Sequence, residues 1–122
     1  MILADTSIWI DYLRGRNAAM HRLIQTGRIV MHPFVVAEIA LGSLQNRHKT
    51  LALMEMLMPV RVAQLSEVRR MIEAQSLYSK GIGLTDAHLV ASCLITPQTQ
   101  LWTRDAALGR IALLMGIQAS LP

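Results

Sequence analysis

Apolar residues occur in this chain in two arrangements: short unbroken runs, and longer stretches at helical spacing between them. The first run, Ile2-Leu3-Ala4, passes straight into Asp5-Thr6-Ser7. It predicts a buried strand that delivers an acid to its carboxyl end. A short helix follows, capped by Ser7, running to about Tyr12 and stopped at Gly15, with Asp11 and Arg14 spaced as a surface pair. Asn17 is placed to cap a second helix, Ala18 to Thr26, closed by Gly27. Arg28 to His32 is the next strand, and Pro33, whose missing N–H is harmless in a first turn, opens a helix through Leu41. That stretch is apolar all round except for Glu38, so a buried helix with a carboxylate at its centre is expected.

Arg47 to Met58 predicts an amphipathic helix ended by Pro59, and Val60 to Ala63 a short strand. Ser66 is placed to cap a longer helix to about Ser79, with Glu67, Arg69, Arg70 and Glu73 on a solvated face. Lys80-Gly81-Ile82-Gly83 reads as a loop. Leu84-Thr85-Asp86 opens a helix that continues from Ala87 to Thr96 and halts at Pro97. Gln100 to Thr103 is a strand followed by Arg104-Asp105; Ala106 to Met115 is a helix closed by Gly116, and Ile117 to Ala119 a last short strand. Strands alternating with helices predict one α/β domain over residues 1–122, with a central parallel sheet of about four to five strands and helices on both faces.

The 122 residues, 52% of them hydrophobic, are enough for a single buried core. No stretch reaches the roughly 20 apolar residues of a membrane span; the longest, Ile29 to Leu44, is interrupted by His32, Pro33 and Glu38. The start lacks a basic lead and a cleavage site, which, with one cysteine, Cys93, leads us to expect a cytoplasmic protein. Twelve basic against eight acidic residues give a net charge of +4, compatible with a polyanionic partner.

The acids are few enough to judge singly. Asp5 and Asp105 follow strands directly, Asp86 heads an apolar helix after a glycine loop, and Glu38 lies within one. Three of them stand at helix starts, where a carboxylate also serves as a plain cap; Glu38, in mid-helix, can cap nothing. Brought together at strand ends, the four would repel one another unless a cation were bound. An all-oxygen set without zinc-like Cys or His spacing favours Mg²⁺ or Mn²⁺, and such a site suits metal-assisted phosphodiester hydrolysis.

These segments resemble a known family. Leu3-Ala4-Asp5-Thr6-Ser7, Pro33 with Val36-Ala37-Glu38-Ile39, Leu84-Thr85-Asp86-Ala87-His88-Leu89 and Leu101-Trp102-Thr103-Arg104-Asp105 are similar, in order and spacing, to the motifs of PIN-domain ribonucleases, and among them to the VapC toxins of toxin–antitoxin pairs. The resemblance implies a PIN-like fold and an acidic cluster of Asp5, Glu38, Asp86 and Asp105 that holds Mg²⁺ or Mn²⁺, with Thr6 and Thr103 as supporting hydroxyls. It further implies an endoribonuclease that acts on structured RNA such as tRNA or rRNA loops and leaves 5′-phosphate and 3′-hydroxyl ends. Homodimers, and inhibition by a cognate VapB-type antitoxin whose C-terminal segment crosses the active-site groove, are also implied. Leu108 stands where relatives often carry Phe.

Among the bases, Lys80 and Arg104 are the first candidates for RNA phosphates by position, with Arg14, Arg16, Arg28, Arg47 and Lys49 behind them. His88, two positions past Asp86, reads as packing or surface, and Cys93, Trp9 and Trp102 as core. Two other enzyme or signalling classes begin with a strand ending in Asp. A haloacid-dehalogenase-like phosphatase wants a second Asp where Ser7 stands, and a receiver domain wants paired acids and a late Lys. A PIN-like scaffold that binds RNA or protein without cutting is the remaining alternative.

Overall fold

The strand Ile2–Ala4 (β1) is the middle of the molecule: it pairs in parallel with Ile29–Met31 (β2) on one side and with Gln100–Trp102 (β4) on the other. Met58–Pro59 (β3) adds to the far side of β2, giving a four-stranded sheet in the order β3-β2-β1-β4, every pairing parallel. Leu3 sits opposite both Val30 and Leu101. A strand buried between two neighbours must be apolar on both faces, which is why these strands are continuous runs rather than alternating ones. The computed structural model describes all 122 residues, Met1–Pro122.

Seven helices connect the strands: Thr6–Leu13 (α1), Ala18–Gln25 (α2), Pro33–Ala40 (α3), Arg47–Glu55 (α4), Leu65–Ala74 (α5), Leu84–Ile95 (α6) and Ala106–Leu114 (α7). The main core is a cluster of 24 buried residues in which Leu3, Ile8, Val35, Leu89, Leu101 and Leu108 are sealed from solvent, and Ala63, Val68, Ala87 and Ala91 form a second, smaller one. Burying each such side chain stabilises the fold by about 1.5–3 kcal/mol relative to leaving it exposed. Cys93, Trp9 and Trp102 belong to the main core, as expected. No helix is long and apolar enough to cross a membrane.

Several elements differ from the sequence expectation. The cap of α1 is Asp5, which accepts the Ile8 amide, so the helix starts two residues earlier than a Ser7 cap would set it. The third strand is Met58–Pro59 rather than Val60–Ala63. Helix α4 stops at Glu55, and Pro59, which looks like a helix terminator, lies in an edge strand, where its missing N–H leaves no ladder bond unmade. The Val60 amide extends the ladder to the Met31 carbonyl at 3.0 Å.

Helix α5 begins at Leu65 instead of after a Ser66 cap, with the Gln64 amide donating to Glu67 Oε1 at 2.8 Å. It ends at Ala74, well short of Ser79, because Ser76 turns to a positive φ of 52°. Ile117 to Ala119 makes a single parallel bridge, Leu101 opposite Gln118, rather than a strand. Asp11 pairs with Arg104 and not with Arg14.

Candidate active site

The chain builds β1, β2 and β3 outward in one direction and then crosses back to place β4 on the other side of β1. The carboxyl ends of β1 and β4 therefore flank the point where strand order reverses, the position where open α/β sheets form their crevice. Asp5 follows β1, and Thr103, Arg104 and Asp105 follow β4.

Asp5 is 4% exposed and is held by three donors. Ser7 Oγ donates to Oδ1 at 2.5 Å, the Ile8 amide to the same oxygen at 3.2 Å, and Thr103 Oγ1 to Oδ2. The two strand ends are thus tied by a side chain as well as by the bond from the Asp5 amide to the Trp102 carbonyl at 3.0 Å. Ser7 Oγ in turn accepts the Arg104 amide at 3.1 Å, and Thr103 Oγ1 accepts the Asp105 amide at 3.0 Å. The helix cap expected of Ser7 is supplied by Asp5, and Ser7, two residues after that strand-ending Asp, orients its carboxylate instead.

Asp105 caps α7, its Oδ1 accepting the Leu108 amide at 2.8 Å, and Leu108 lies in the core. Glu38 corrects an expectation. Helix α3 is not buried all round: Val35 and Ile39 enter the core, while Ala37 and Glu38 face solvent. The exposed carboxylate needs no buried partner, and Glu38 Oε2 accepts a hydrogen bond from Thr6 Oγ1 at 2.8 Å.

Asp86 lies in the first turn of α6 and is partly buried. Its carboxyl is pushed above the ordinary aspartate range, first by desolvation and then by the negative charges of Asp5, Asp105 and Glu38, with only the Gly83 amide acting in the other direction. Four acids from four separate segments are therefore close enough to repel electrostatically. Neither of the two ion pairs in the molecule, Arg69–Glu73 and Arg104–Asp11, neutralises any of them. As the side chains stand, no three carboxylate, imidazole or thiol groups are near enough to ligate one ion directly. The donor set is all hard oxygen, and its repulsion is uncompensated, so by chemistry and charge these residues fit a hydrated Mg²⁺ or Mn²⁺ that keeps several waters.

The two first-choice bases fare differently. Lys80 is exposed on the loop before α6. The Arg104 guanidinium Nε is 2.5 Å from Asp11 Oδ2. His88 is buried, its ring 4.5 Å from that of Phe34, in line with packing.

A family model described as PIN domain matches residues 2–114. The chain belongs to the PIN-domain family. Curated relatives named Ribonuclease VapC32, from two Mycobacterium tuberculosis strains (CDC 1551 / Oshkosh and ATCC 25618 / H37Rv), are 38% identical over 108 residues, covering 88% of this chain and 87% of theirs. Membership in this family sets aside the phosphatase and receiver-domain alternatives, and the parallel α/β sheet agrees with it.

Proposed function

We propose that this PIN-domain protein is a VapC-type endoribonuclease toxin that hydrolyses phosphodiester bonds in structured RNA, such as tRNA or rRNA loops, at the rim where β1 and β4 end. Asp5, Glu38, Asp86 and Asp105 would hold Mg²⁺ or Mn²⁺. The observation that carries this reading is the unneutralised repulsion at Asp86, whose carboxyl is raised partly by three other acids that have no lysine or arginine partner. A cation bound there supplies charge neutralisation at the phosphate and a water of lowered pKa.

The chain's own groups do the positioning. The hydroxyls of Ser7 and Thr103 and the Ile8 amide fix both oxygens of Asp5, so its charge cannot swing away from the rim. Thr6 anchors one oxygen of Glu38, leaving the other for solvent or substrate. Water adds to phosphorus, the bond to the 3′ oxygen breaks, and a 5′-phosphate and a 3′-hydroxyl remain. A VapB-type antitoxin is the partner that the VapC type brings with it; homodimerisation and a cytoplasmic location complete the proposal.

Purified protein freed of antitoxin should cut structured RNA in Mg²⁺ or Mn²⁺, stop when EDTA is added, and lose cutting in Asp86→Asn. Undiminished cleavage in EDTA, or by a folded Asp86→Asn protein, would remove the cation from the proposal. A protein that binds RNA but never cuts it would favour the scaffold reading.

A further inference from the structure

A cleft of about 810 Å³ opens directly from the acidic rim. Thr6 and Glu38 stand at its start. One wall is α1 with the turn after it, ending in Arg14 and Arg16; the other is the C-terminal part of α3 with the loop that follows. At about 1.5 Å per residue, the Arg14 end of α1 is about 12 Å from Thr6, a distance suited to a phosphate next to the cut one rather than to the cut one itself.

The charges along this cleft are unequal in their availability. Asp11, the acid nearest to Arg14 in sequence, is taken by Arg104. Arg14 and Arg16 are exposed and enter neither of the molecule's ion pairs. Arg47 is also committed: its guanidinium donates to the Gly42 carbonyl at 3.1 Å and to the Ala40 carbonyl, bracing the far wall. The only acid lining the cleft is Glu38, at the rim end. Negative charge at one end and two uncommitted guanidinium groups at the other suit a strand that is cut at the first and gripped at the second.

We propose that Arg14 and Arg16 bind the backbone phosphates of RNA beside the scissile bond, along the cleft between α1 and the α3–α4 loop. The inference rests on the ribonuclease reading but makes its own claim, that substrate leaves the rim along α1. Arginine suits the task because its planar fork takes two phosphate oxygens at once, whereas apolar Ile10 and Leu13 on the same wall accommodate sugar and base without selecting sequence.

The test is RNA binding by the folded, full-length Asp5→Asn protein, read by anisotropy of a fluorescein-labelled single-stranded oligoribonucleotide across a salt series. In that background Arg14→Gln or Arg16→Gln should weaken binding about three- to tenfold each. The slope of log K against log salt should fall by about 0.7 for each charge removed. Arg14→Lys should restore most of the slope because it restores the charge, and Arg70→Gln, on α5 and outside the cleft, should change nothing. In the otherwise wild-type protein the arginine variants should raise KM with kcat nearly constant.

Unchanged affinity and slope in the Arg14→Gln/Arg16→Gln protein, alongside normal cleavage, would overturn this inference and leave the ribonuclease reading standing. Loss of affinity for a co-purified antitoxin without loss of RNA affinity would assign the cleft to a protein segment and overturn it too. Absence of both cleavage and RNA binding in the parent protein would overturn the two together.

Discussion

Helices α3 and α6 each contribute to two polar clusters of opposite character. At the rim, Glu38 of α3 and Asp86 of α6 face the acids that follow β1 and β4. Deeper, the α3 cap His32 and the α6 residue His88 are both buried, with ring centroids 6.2 Å apart and Phe34 against each. His32 Nδ1 accepts the Phe34 amide at 2.9 Å, while His32 Nε2 and His88 Nδ1 have no hydrogen-bond partner. Burial acts on the two imidazoles and on Asp86 through one rule, that a charged form is penalised where water is excluded, yet the outcomes differ. An imidazole escapes the penalty by staying neutral at physiological pH and becomes part of the core. At Asp86 the same exclusion of water, together with the neighbouring acids, makes the charged form costly, and no lysine or arginine offsets it. The same two helices thus carry a buried neutral pair and part of the acidic set proposed to bind a cation.

The largest effect that separates the two should come from Asp5→Asn. The amide keeps the shape, its one oxygen can still accept from Ser7 and the Ile8 amide while its NH2 turns to donate to Thr103 Oγ1, and it removes one charge from the centre of the rim. We expect RNA cleavage to fall by at least about a hundredfold, the scale on which a positioned electrostatic group contributes to a chemical step, with far-ultraviolet circular dichroism unchanged. Full cleavage by the folded variant would place the chemistry elsewhere.

The imidazole pair should show itself in stability against pH. His32 is lowered from 6.5 to about 4, first by burial and then by the charge of His88. Between those values the unfolded chain takes up a proton at this position and the folded chain does not, so stability falls as pH falls through that window. The loss should approach about 3 kcal/mol, measured by urea denaturation at successive pH values. His32→Asn keeps a good helix cap and should flatten the slope. Parallel slopes for the two proteins would assign the acid sensitivity to other groups.

How much of this was legible in advance follows from the range of each interaction. The strand ending on Asp5, the Pro33 and Asn17 starts and the helix from Asp105 are local signals, and all appear in the structure. The edge strand at Met58–Pro59 was not legible, because a proline after a helical stretch reads as a stop and only the neighbouring Val30 and Met31 make it a strand. The sequence predicts Glu38 on a buried helix and the structure puts it on an exposed face of α3, because an octet apolar but for that one residue hides which face meets solvent. The choice of Asp11 by Arg104, 93 positions away in the chain, depends on β1 and β4 lying side by side; no local spacing encodes it.

A smaller effect bears on Asp86. Its raised carboxyl means that ionising it costs more in the folded than in the unfolded chain, so the charge destabilises the fold at neutral pH and the deficit shrinks as pH falls through the raised value. Asp86→Asn should therefore raise Tm by a few degrees in metal-free buffer at pH 7. Adding Mg²⁺ should close that gap from the other side: the wild type gains Tm because the ion binds the folded form alone, and the variant gains less. A lower Tm for Asp86→Asn in EDTA would mean that the carboxylate is stabilised where it stands, and would remove the electrostatic reason for a cation there.

The smallest effect isolates Arg104. Its pair with Asp11 is half open to solvent on the arginine side, where an ion pair is worth about 0–1 kcal/mol. Asp11→Asn should therefore leave Tm nearly unchanged while releasing a guanidinium next to the rim. If the Asp11 pairing is what keeps Arg104 from phosphate, the variant should bind single-stranded RNA slightly more tightly, with a salt slope steeper by about 0.7. An unchanged slope would show that the freed side chain does not reach the strand, and that the path of RNA from the rim runs away from α7 whatever Arg104 is paired with.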